Sequence, residues 1–136
     1  MVNDESYEVP EGLYYSKDFI WVKNEADKVR IGLTDFAQKR LREIVYADLP
    51  NLGDEVKQGE SCGSVESVKA VTDIVAPVSG TITEVNNEVL SNPEILNDKP
   101  YTSGWLLVIN PSNLQEELSS LMDFEKSVEW HKAQST

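Results

Sequence analysis

A lysine between two β-prone runs is the residue of this sequence best placed to do chemistry. Lys69 lies sixteen residues after Gly53 and eleven before Gly80, and similar patterns of polar residues and valines flank both glycines. The pattern places Lys69 at the reversal between two strands, where its amine is solvated and open to covalent modification. Because a lysine in a hairpin turn is ordinarily a plain surface residue, this interpretation depends on the spacing around it.

The near-symmetry about Lys69 also predicts an architecture. From residue 53 to residue 85 the chain reads as short strands separated by glycines. Two four-stranded-type halves folded face to face would place Lys69 at the turn between two of their strands. The candidate inward-facing residues are Val56, Val65, Ile74, Val78, Ile82 and Val85.

The other reactive side chains predict neither a catalytic nor a metal site, so we do not expect an enzyme. Cys62 is the single cysteine of the sequence, which excludes an intramolecular disulfide and a thiol-rich metal centre. We expect it to be a small strand residue in a reducing compartment. His131 falls in a predicted terminal helix without a second ligand near it in sequence, so metal binding is not expected there.

Length and charge limit the domain count and the partners. A chain of 136 residues suits one domain, and its 24 acidic against 12 basic residues give a net charge of −12. This charge repels phosphate backbones and anionic lipids, so neither nucleic acid nor a membrane is an expected partner. Residues 1–8 lack the basic and apolar regions of a signal peptide. We expect a monomer in the cytoplasm, or in an organelle lumen if a transit peptide has been removed.

Periodicity predicts the elements that position Lys69. Alternating apolar residues over 14–33 predict a hairpin. Thr34 can cap a helix over 35–43, and a strand over 44–49 should end at Pro50, which cannot donate to a ladder.

After the central strands, the sequence predicts one more strand and a helical C-terminus. Asn86-Asn87 reads as a turn and Ile95-Leu96 as a brief helical turn. A closing strand is predicted over 104–109, followed by a helix that Ser112 caps. The terminal helix should run over about 123–132 and fray beyond, outside a core of about 14–123.

Lys69 lies in a distinctive run, Val65-Glu66-Ser67-Val68-Lys69-Ala70, which continues with Asp73-Ile74 and Ala76-Pro77-Val78-Ser79-Gly80. This run closely resembles the lipoyl-lysine segment of glycine cleavage system H proteins. It is more distantly similar to the biotinyl/lipoyl domains of carboxylases and 2-oxo-acid dehydrogenases. Biotin carriers usually have methionine on both sides of the lysine, so Val68 and Ala70 favour lipoate over biotin.

The resemblance extends over about residues 14–123. Further motifs occur in the order seen in H proteins: Thr34-Asp35, Ala37-Gln38, Leu49-Pro50, Gly53, Asn97, Pro100-Tyr101 and Gly104-Trp105. The resemblance implies a mainly β, biotinyl/lipoyl-type flattened barrel or sandwich with short peripheral helices and a helical C-terminus.

The resemblance also implies a function, that of a carrier with lipoate on Lys69. Its arm would visit glycine decarboxylase, an aminomethyltransferase and dihydrolipoyl dehydrogenase, after attachment by a lipoate ligase or lipoyl transferase. The residues around the lysine that such an enzyme could recognise are Glu66, Ser67, Val68, Ala70 and Asp73. Glu66 and Asp73 are otherwise polar strand residues that face water, and Cys62 could alternatively be a thiol partner for the lipoyl disulfide.

The sequence departs from the H-protein pattern at the cleft that receives the arm. H proteins commonly have a His-Glu pair before the tryptophan that matches Trp21, and often a histidine or tyrosine further on, where this chain has Phe19, Ile20 and Phe36. The usual glycine after Leu41 is replaced by Arg42.

An apolar cleft would hold a bare or sulfur-loaded arm more comfortably than an amine. The alternative function is therefore an H-like lipoate-binding protein that carries sulfur intermediates for heterodisulfide-reductase-like proteins. A biotin carrier or an unmodified binding module remains as a further alternative.

Overall fold

The computed structural model describes residues 7–135 and leaves the side chain of the last of these undescribed. The acidic residues 1–6 and Thr136, the end of the predicted frayed terminus, lie outside the described residues. Within this range the strands are β1 (Tyr14–Tyr15), β2 (Ile20–Glu25), β3 (Lys28–Leu33), β4 (Ile44–Asp48), β5 (Glu55–Val56), β6 (Ser61–Ser67), β7 (Val71–Val75), β8 (Gly80–Val85) and β9 (Leu107–Pro111). The helices are α1 (Asp35–Leu41), α2 (Asn87–Ser91), α3 (Ile95–Asp98), α4 (Leu114–Leu118) and α5 (Phe124–Ser135).

The strands form two antiparallel sheets of unequal size, which confirms the mainly β fold. The larger has the order β1-β2-β3-β9-β8-β5, and the smaller has the order β4-β6-β7. The predicted pair of four-stranded halves is wrong in this detail. The β2–β3 hairpin joins the larger sheet because Val29 pairs with Ile109 of β9, a partner far away in sequence.

The core fills with aliphatic residues from both sheets. Every second residue of a strand faces the same side, so the inward positions of each strand can be buried together. Of the predicted inward residues, the fully or nearly fully buried ones are Val56, Val65, Ile74, Val78 and Ile82. Val85 is half-buried and packs against the edge of this cluster.

One predicted helix ends earlier than expected, and one helix was not predicted. Helix α1 begins at the Thr34 cap, as predicted, but ends at Leu41 because Arg42 adopts a left-handed φ of 69°. Helix α2 occupies the segment after the predicted turn at Asn86-Asn87. The Asn86 side chain accepts a hydrogen bond from the Glu88 amide at 3.2 Å and so caps this helix.

The C-terminal elements follow the predicted order with shifted boundaries. Strand β9 begins at Leu107, three residues later than predicted, and α4 begins after Asn113 without a side-chain cap, so Ser112 does not cap it. Helix α5 begins at Phe124, one residue after the predicted start, and the Asp123 carboxylate accepts a hydrogen bond from the Lys126 amide at 2.9 Å. It continues to Ser135, so the prediction that it ends near residue 132 is wrong. None of the helices within residues 7–135 is long and apolar enough to cross a membrane.

Candidate functional site: the β6–β7 hairpin tip and its neighbouring pocket

Lys69 lies at the tip of the β6–β7 hairpin. The two strands pair in antiparallel register up to Glu66 opposite Val71, so residues 67–70 make the reversal. Lys69 and its two chain neighbours in this turn are exposed. An ammonium group in this position can be reached by a modifying enzyme without any opening of the core.

The Ser67 side chain holds the turn. Its Oγ accepts hydrogen bonds from the Lys69 amide at 3.1 Å and from the Ala70 amide at 3.0 Å. The Ser67 amide in turn donates to the Ala70 carbonyl at 2.8 Å. Ser67 is only 6% exposed. A serine at the first position of a turn can stabilise the turn through such local hydrogen bonds. None of residues 67–70 has a positive φ, so this turn does not need a glycine.

The hairpin tip rests against the end of α1. The Val68 amide donates to the Glu43 carbonyl at 3.0 Å, and Lys69 Nζ donates to the Arg40 carbonyl at 3.4 Å. The Nζ contact is long, and Lys69 is exposed. The Val68 contact fixes the backbone of the turn next to the segment that follows α1.

A small pocket opens beside the tip, between α1, β7 and the loop before β2. Its volume is about 120 Å³. Its lining residues are Asp18, Phe19, Leu33, Ala37, Arg40, Leu41 and Thr72. Arg40 belongs both to this lining and to the Lys69 contact, so the pocket lies near the lysine side chain.

Aromatic rings form the wall of the pocket on the Phe19 side. Phe19 stacks on Phe36 with ring centroids 5.6 Å apart, and it meets Trp130 of α5 at 5.1 Å. Phe19 adopts a left-handed φ of 67°, uncommon for a residue with a bulky side chain. The Ser16 carbonyl accepts from the Phe19 amide, and the Phe19 carbonyl accepts from the Thr34 amide. These two bonds hold the strained residue in place.

Phe19, Ile20 and Phe36 were predicted to lie together in the arm cleft, but of these three only Phe19 lines this pocket. Ile20 is completely buried in the core, because the left-handed turn at Phe19 separates the directions of these neighbouring side chains. Phe36 lies behind Phe19 and contacts His131 at 5.3 Å, so α5 covers it. The lining instead includes two charged residues, Asp18 and Arg40.

Asp18, Arg40 and Trp130 were not predicted from the sequence as site residues. Asp18 and Arg40 are ordinary surface types at their positions. Trp130 does not line the pocket but packs against Phe19 from α5, more than a hundred residues later in sequence. The only sequence signal for Trp130 is a large aromatic residue in a mostly polar terminal helix.

Glu66 and Asp73 lie on the outer face of the smaller sheet. Glu66 is in register with Tyr46 and Val71, and Asp73 is in register with Ser64. Both carboxylates are exposed. Tyr46 and Val71 are also exposed, at 57% and 65%, so the face next to Lys69 combines apolar and acidic groups.

Cys62 and His131 stand apart from the lysine. The Cys62 Sγ donates to the Ile74 carbonyl at 3.5 Å, and burial raises the pKa of this thiol to about 11. The thiol is therefore protonated at neutral pH and a poor nucleophile. His131 is 1% exposed with its Nδ1 beside the Ser127 carbonyl at 2.8 Å, and burial lowers its pKa.

Comparison with known proteins identifies the family. The family model described as "Glycine cleavage H-protein" matches residues 13–134. The chain belongs to the glycine cleavage H-protein family. It is 48% identical over 134 residues to a probable glycine cleavage system H protein of Pyrococcus abyssi, covering 98% of this chain and 99% of that one.

A bacterial relative and a solved structure agree with this assignment. The glycine cleavage system H protein of Halalkalibacterium halodurans is 49% identical over 122 residues, covering 88% of this chain and 95% of the relative. A crystal structure of a glycine cleavage system H protein from Mycobacterium marinum superposes with a TM-score of 0.83 at 35% identity. It covers 91% of this chain and 99% of that one.

The family assignment decides between the functions that the sequence left open. Members of this family are lipoyl carriers of the glycine cleavage system rather than enzymes, so the chain is a carrier protein. The similar proteins are glycine cleavage proteins, which does not favour the alternative of a sulfur-carrying protein.

Proposed function

We propose that this chain carries lipoate in amide linkage to Lys69 Nζ and presents it as a swinging arm to the enzymes of glycine cleavage. The observation that carries the proposal is the position of Lys69 at the exposed reversal of β6 and β7. A modifying enzyme needs an amine that it can reach and that is held at a fixed site. The Ser67 bonds and the contact of Val68 with Glu43 fix the backbone there, while the side chain stays in solvent.

The residues around Lys69 suit an attached lipoyl group. Acylation turns the ammonium into a neutral amide that keeps one N–H, and the Arg40 carbonyl can accept from it. When bound, lipoate supplies the dithiolane whose sulfur exchanges with thiols and accepts the transferred group. The protein contributes the recognition surface, the attachment amine and a mostly apolar pocket near that amine.

The partners follow from this role. A lipoate ligase or lipoyl transferase attaches the group, after which glycine decarboxylase, the aminomethyltransferase and dihydrolipoyl dehydrogenase use it in turn. The carrier acts as a monomer in the cytoplasm, where its one cysteine stays reduced.

We further propose that Glu66 and Asp73 mark the hairpin for the lipoylating enzyme. They lie on one exposed sheet face beside Lys69, where a basic enzyme surface gains from the negative field. Glu66→Gln and Asp73→Asn should each raise the KM for lipoylation by about two- to fivefold, the range of an exposed ion pair. Glu84→Gln, on the larger sheet, is the matched control and should leave KM unchanged. Equal KM values for all variants would contradict this role.

The experiment for the whole function is a reconstituted glycine cleavage reaction. The lipoylated protein is mixed with the decarboxylase, the aminomethyltransferase, dihydrolipoyl dehydrogenase, glycine, tetrahydrofolate and NAD, and carbon dioxide release is measured. We expect release that depends on the carrier and disappears with Lys69→Arg. Release that is equal without the carrier, or with the variant, would refute the proposal.

A further inference from the structure

A single peptide group connects the hairpin tip to helix α3. This group joins Glu43 to Ile44, in the short link between α1 and β4. Its carbonyl accepts a hydrogen bond from the Val68 amide at 3.0 Å, and its N–H donates to Asn97 Oδ1 at 2.9 Å. No peptide bond within residues 7–135 is cis, so the carbonyl and the N–H of this group point in opposite directions. Asn97 and Val68 are therefore bonded to opposite sides of one planar unit.

Asn97 also holds the preceding peptide group. Its Nδ2 donates to the Arg42 carbonyl at 2.7 Å and to Gln38 Oε1 at 2.9 Å. A backbone N–H can only donate and a backbone carbonyl can only accept, so the Ile44 and Arg42 bonds fix which way round the Asn97 amide lies. Three hydrogen bonds from one side chain thus hold the link between α1 and β4, in which Arg42 has its left-handed φ of 69°.

The Asn97 side chain is itself anchored by a buried polar network. Gln38 Nε2 donates to Asp35 Oδ1 at 2.6 Å, and Asp35 Oδ2 accepts from the Glu8 amide at 2.9 Å. Gln38 and Asp35 are both buried. A buried network whose members are hydrogen-bonded to one another is rigid. The Asn97 amide therefore acts from a fixed position on the α1 side.

The Val68 bond sets how the tip stands against the link between α1 and β4. The Val68 side chain is 66% exposed, so its packing contributes little there. The Ser67 Oγ bonds to the Lys69 and Ala70 amides lie within the turn and do not join it to another element. The contact of Lys69 Nζ with the Arg40 carbonyl is long, at 3.4 Å.

We propose that Asn97 is a positioning residue for the lipoylation of Lys69. Through the peptide group between Glu43 and Ile44, it holds the tip in the orientation that the lipoylating enzyme binds. The inference rests on the proposed function, because it requires lipoylation of Lys69. When only a fraction of the tips is held, the apparent affinity of the enzyme falls by that fraction. An enzyme saturated with carrier fixes the tip itself, so loss of Asn97 should raise KM and leave kcat unchanged.

The test compares Asn97→Ala with the matched control Asn86→Ala. Asn86 also makes three side-chain hydrogen bonds: its Oδ1 accepts from the Glu88 amide, and its Nδ2 donates to the Ser103 and Trp105 carbonyls. These carbonyls lie in the segment before β9, not in the link between α1 and β4. Both substitutions therefore remove the same kinds of bond, but only Asn97→Ala frees the peptide group that binds Val68.

The first readout is NMR of the Val68 amide. Loss of about one net hydrogen bond should shift the opening equilibrium of this bond about tenfold. An amide at an exposed tip is already open part of the time, so we expect its exchange to accelerate about three- to fivefold. The scalar coupling across the hydrogen bond from Val68 ¹⁵N to Glu43 ¹³C′ should weaken. The Lys69 and Ala70 amides should keep their exchange rates, and Asn86→Ala should change none of these values.

The second readout is lipoylation kinetics with a lipoate ligase, ATP and free lipoate, at varied carrier concentration. We expect Asn97→Ala to raise KM about two- to threefold at unchanged kcat, and Asn86→Ala to match the unsubstituted protein. Asn97→Asp keeps the acceptor for the Ile44 amide and loses both donors. It should show smaller changes in the same direction, and it decides the question if Asn97→Ala does not fold.

The outcomes separate this inference from the proposed function. Normal lipoylation of Lys69 with an unchanged KM in the Asn97 variants would overturn the role of Asn97 and leave the carrier function standing, whatever the exchange rates. Equal changes in Asn86→Ala would also overturn it, because they would report a general loss of stability. An unsubstituted chain that gains no lipoyl adduct would overturn both.

Discussion

The Ser67→Ala substitution tests whether a single hydroxyl organises the turn that presents Lys69. Ser67 Oγ accepts from two amides and also donates to the Ala70 carbonyl at 3.2 Å, so its hydrogen-bonding capacity is fully used. Alanine keeps the backbone bond between the Ser67 amide and the Ala70 carbonyl. The substitution therefore removes the side-chain bonds without removing the hairpin.

The expected loss of local stability in Ser67→Ala follows from the exposure of the turn. A protein hydrogen bond contributes about 0.5–1.5 kcal/mol net, and water can replace the acceptor at exposed Lys69 and Ala70. We take the lower end of this range for each of the two bonds. The substitution should therefore lower the free energy of local opening of the turn by about 1–1.4 kcal/mol. At 1.4 kcal/mol per tenfold, the Lys69 and Ala70 amides should exchange about five- to tenfold faster.

The assay is amide hydrogen exchange followed by NMR, with Ser64→Ala as the control. Ser64 lies on the same strand in register with Asp73, and within residues 7–135 its hydroxyl makes no hydrogen bond. We expect acceleration at Lys69 and Ala70 in Ser67→Ala alone, and unchanged exchange at the core positions Val65 and Ile74. If both amides exchange at the same rate in all three proteins, the hydroxyl does not hold the turn.

Two further predictions concern stability. Arg42 has φ 69° and ψ −149°, a region that costs a side-chain-bearing residue about 1–3 kcal/mol. Arg42→Gly should therefore raise the free energy of unfolding in urea by about 1 kcal/mol after the added chain entropy; a decrease would contradict this strain. Burial lowers the pKa of His131, so as the pH falls the unfolded chain binds a proton at this residue before the folded chain does. Stability should therefore fall as the pH drops below about 6.5. His131→Phe should reduce this fall between pH 7 and 5 in urea titrations, and an unchanged pH profile would refute the assignment.

The sequence could predict the elements whose signals are local. The glycine and valine spacing around Lys69 predicted the hairpin, and the Thr34 cap predicted the start of α1. Helix α2 was not predicted because asparagine favours turns and helix caps through the same side-chain bonding, so Asn86 fits either.

The parts that could not be predicted depend on distant contacts or on a single backbone angle. The size of each sheet depends on the pairing of Val29 with Ile109, which no local pattern specifies. The pocket wall formed by Phe19 depends on the left-handed φ of that residue, and the ring packs against Trp130 of α5. Ile20 was expected in the cleft because it matches a cleft position of the H-protein pattern, but its side chain is buried in the core.

The lipoylation of Lys69 is the central claim, and peptide mass mapping tests it most directly. The protein is co-expressed with a lipoyl ligase and supplied with lipoate, its intact mass is measured, and the modified peptide is sequenced by fragmentation. We predict a single lipoyl adduct on Lys69 and none on Lys69→Arg. An adduct on Lys57 or another lysine, or one that persists in Lys69→Arg, would contradict the account.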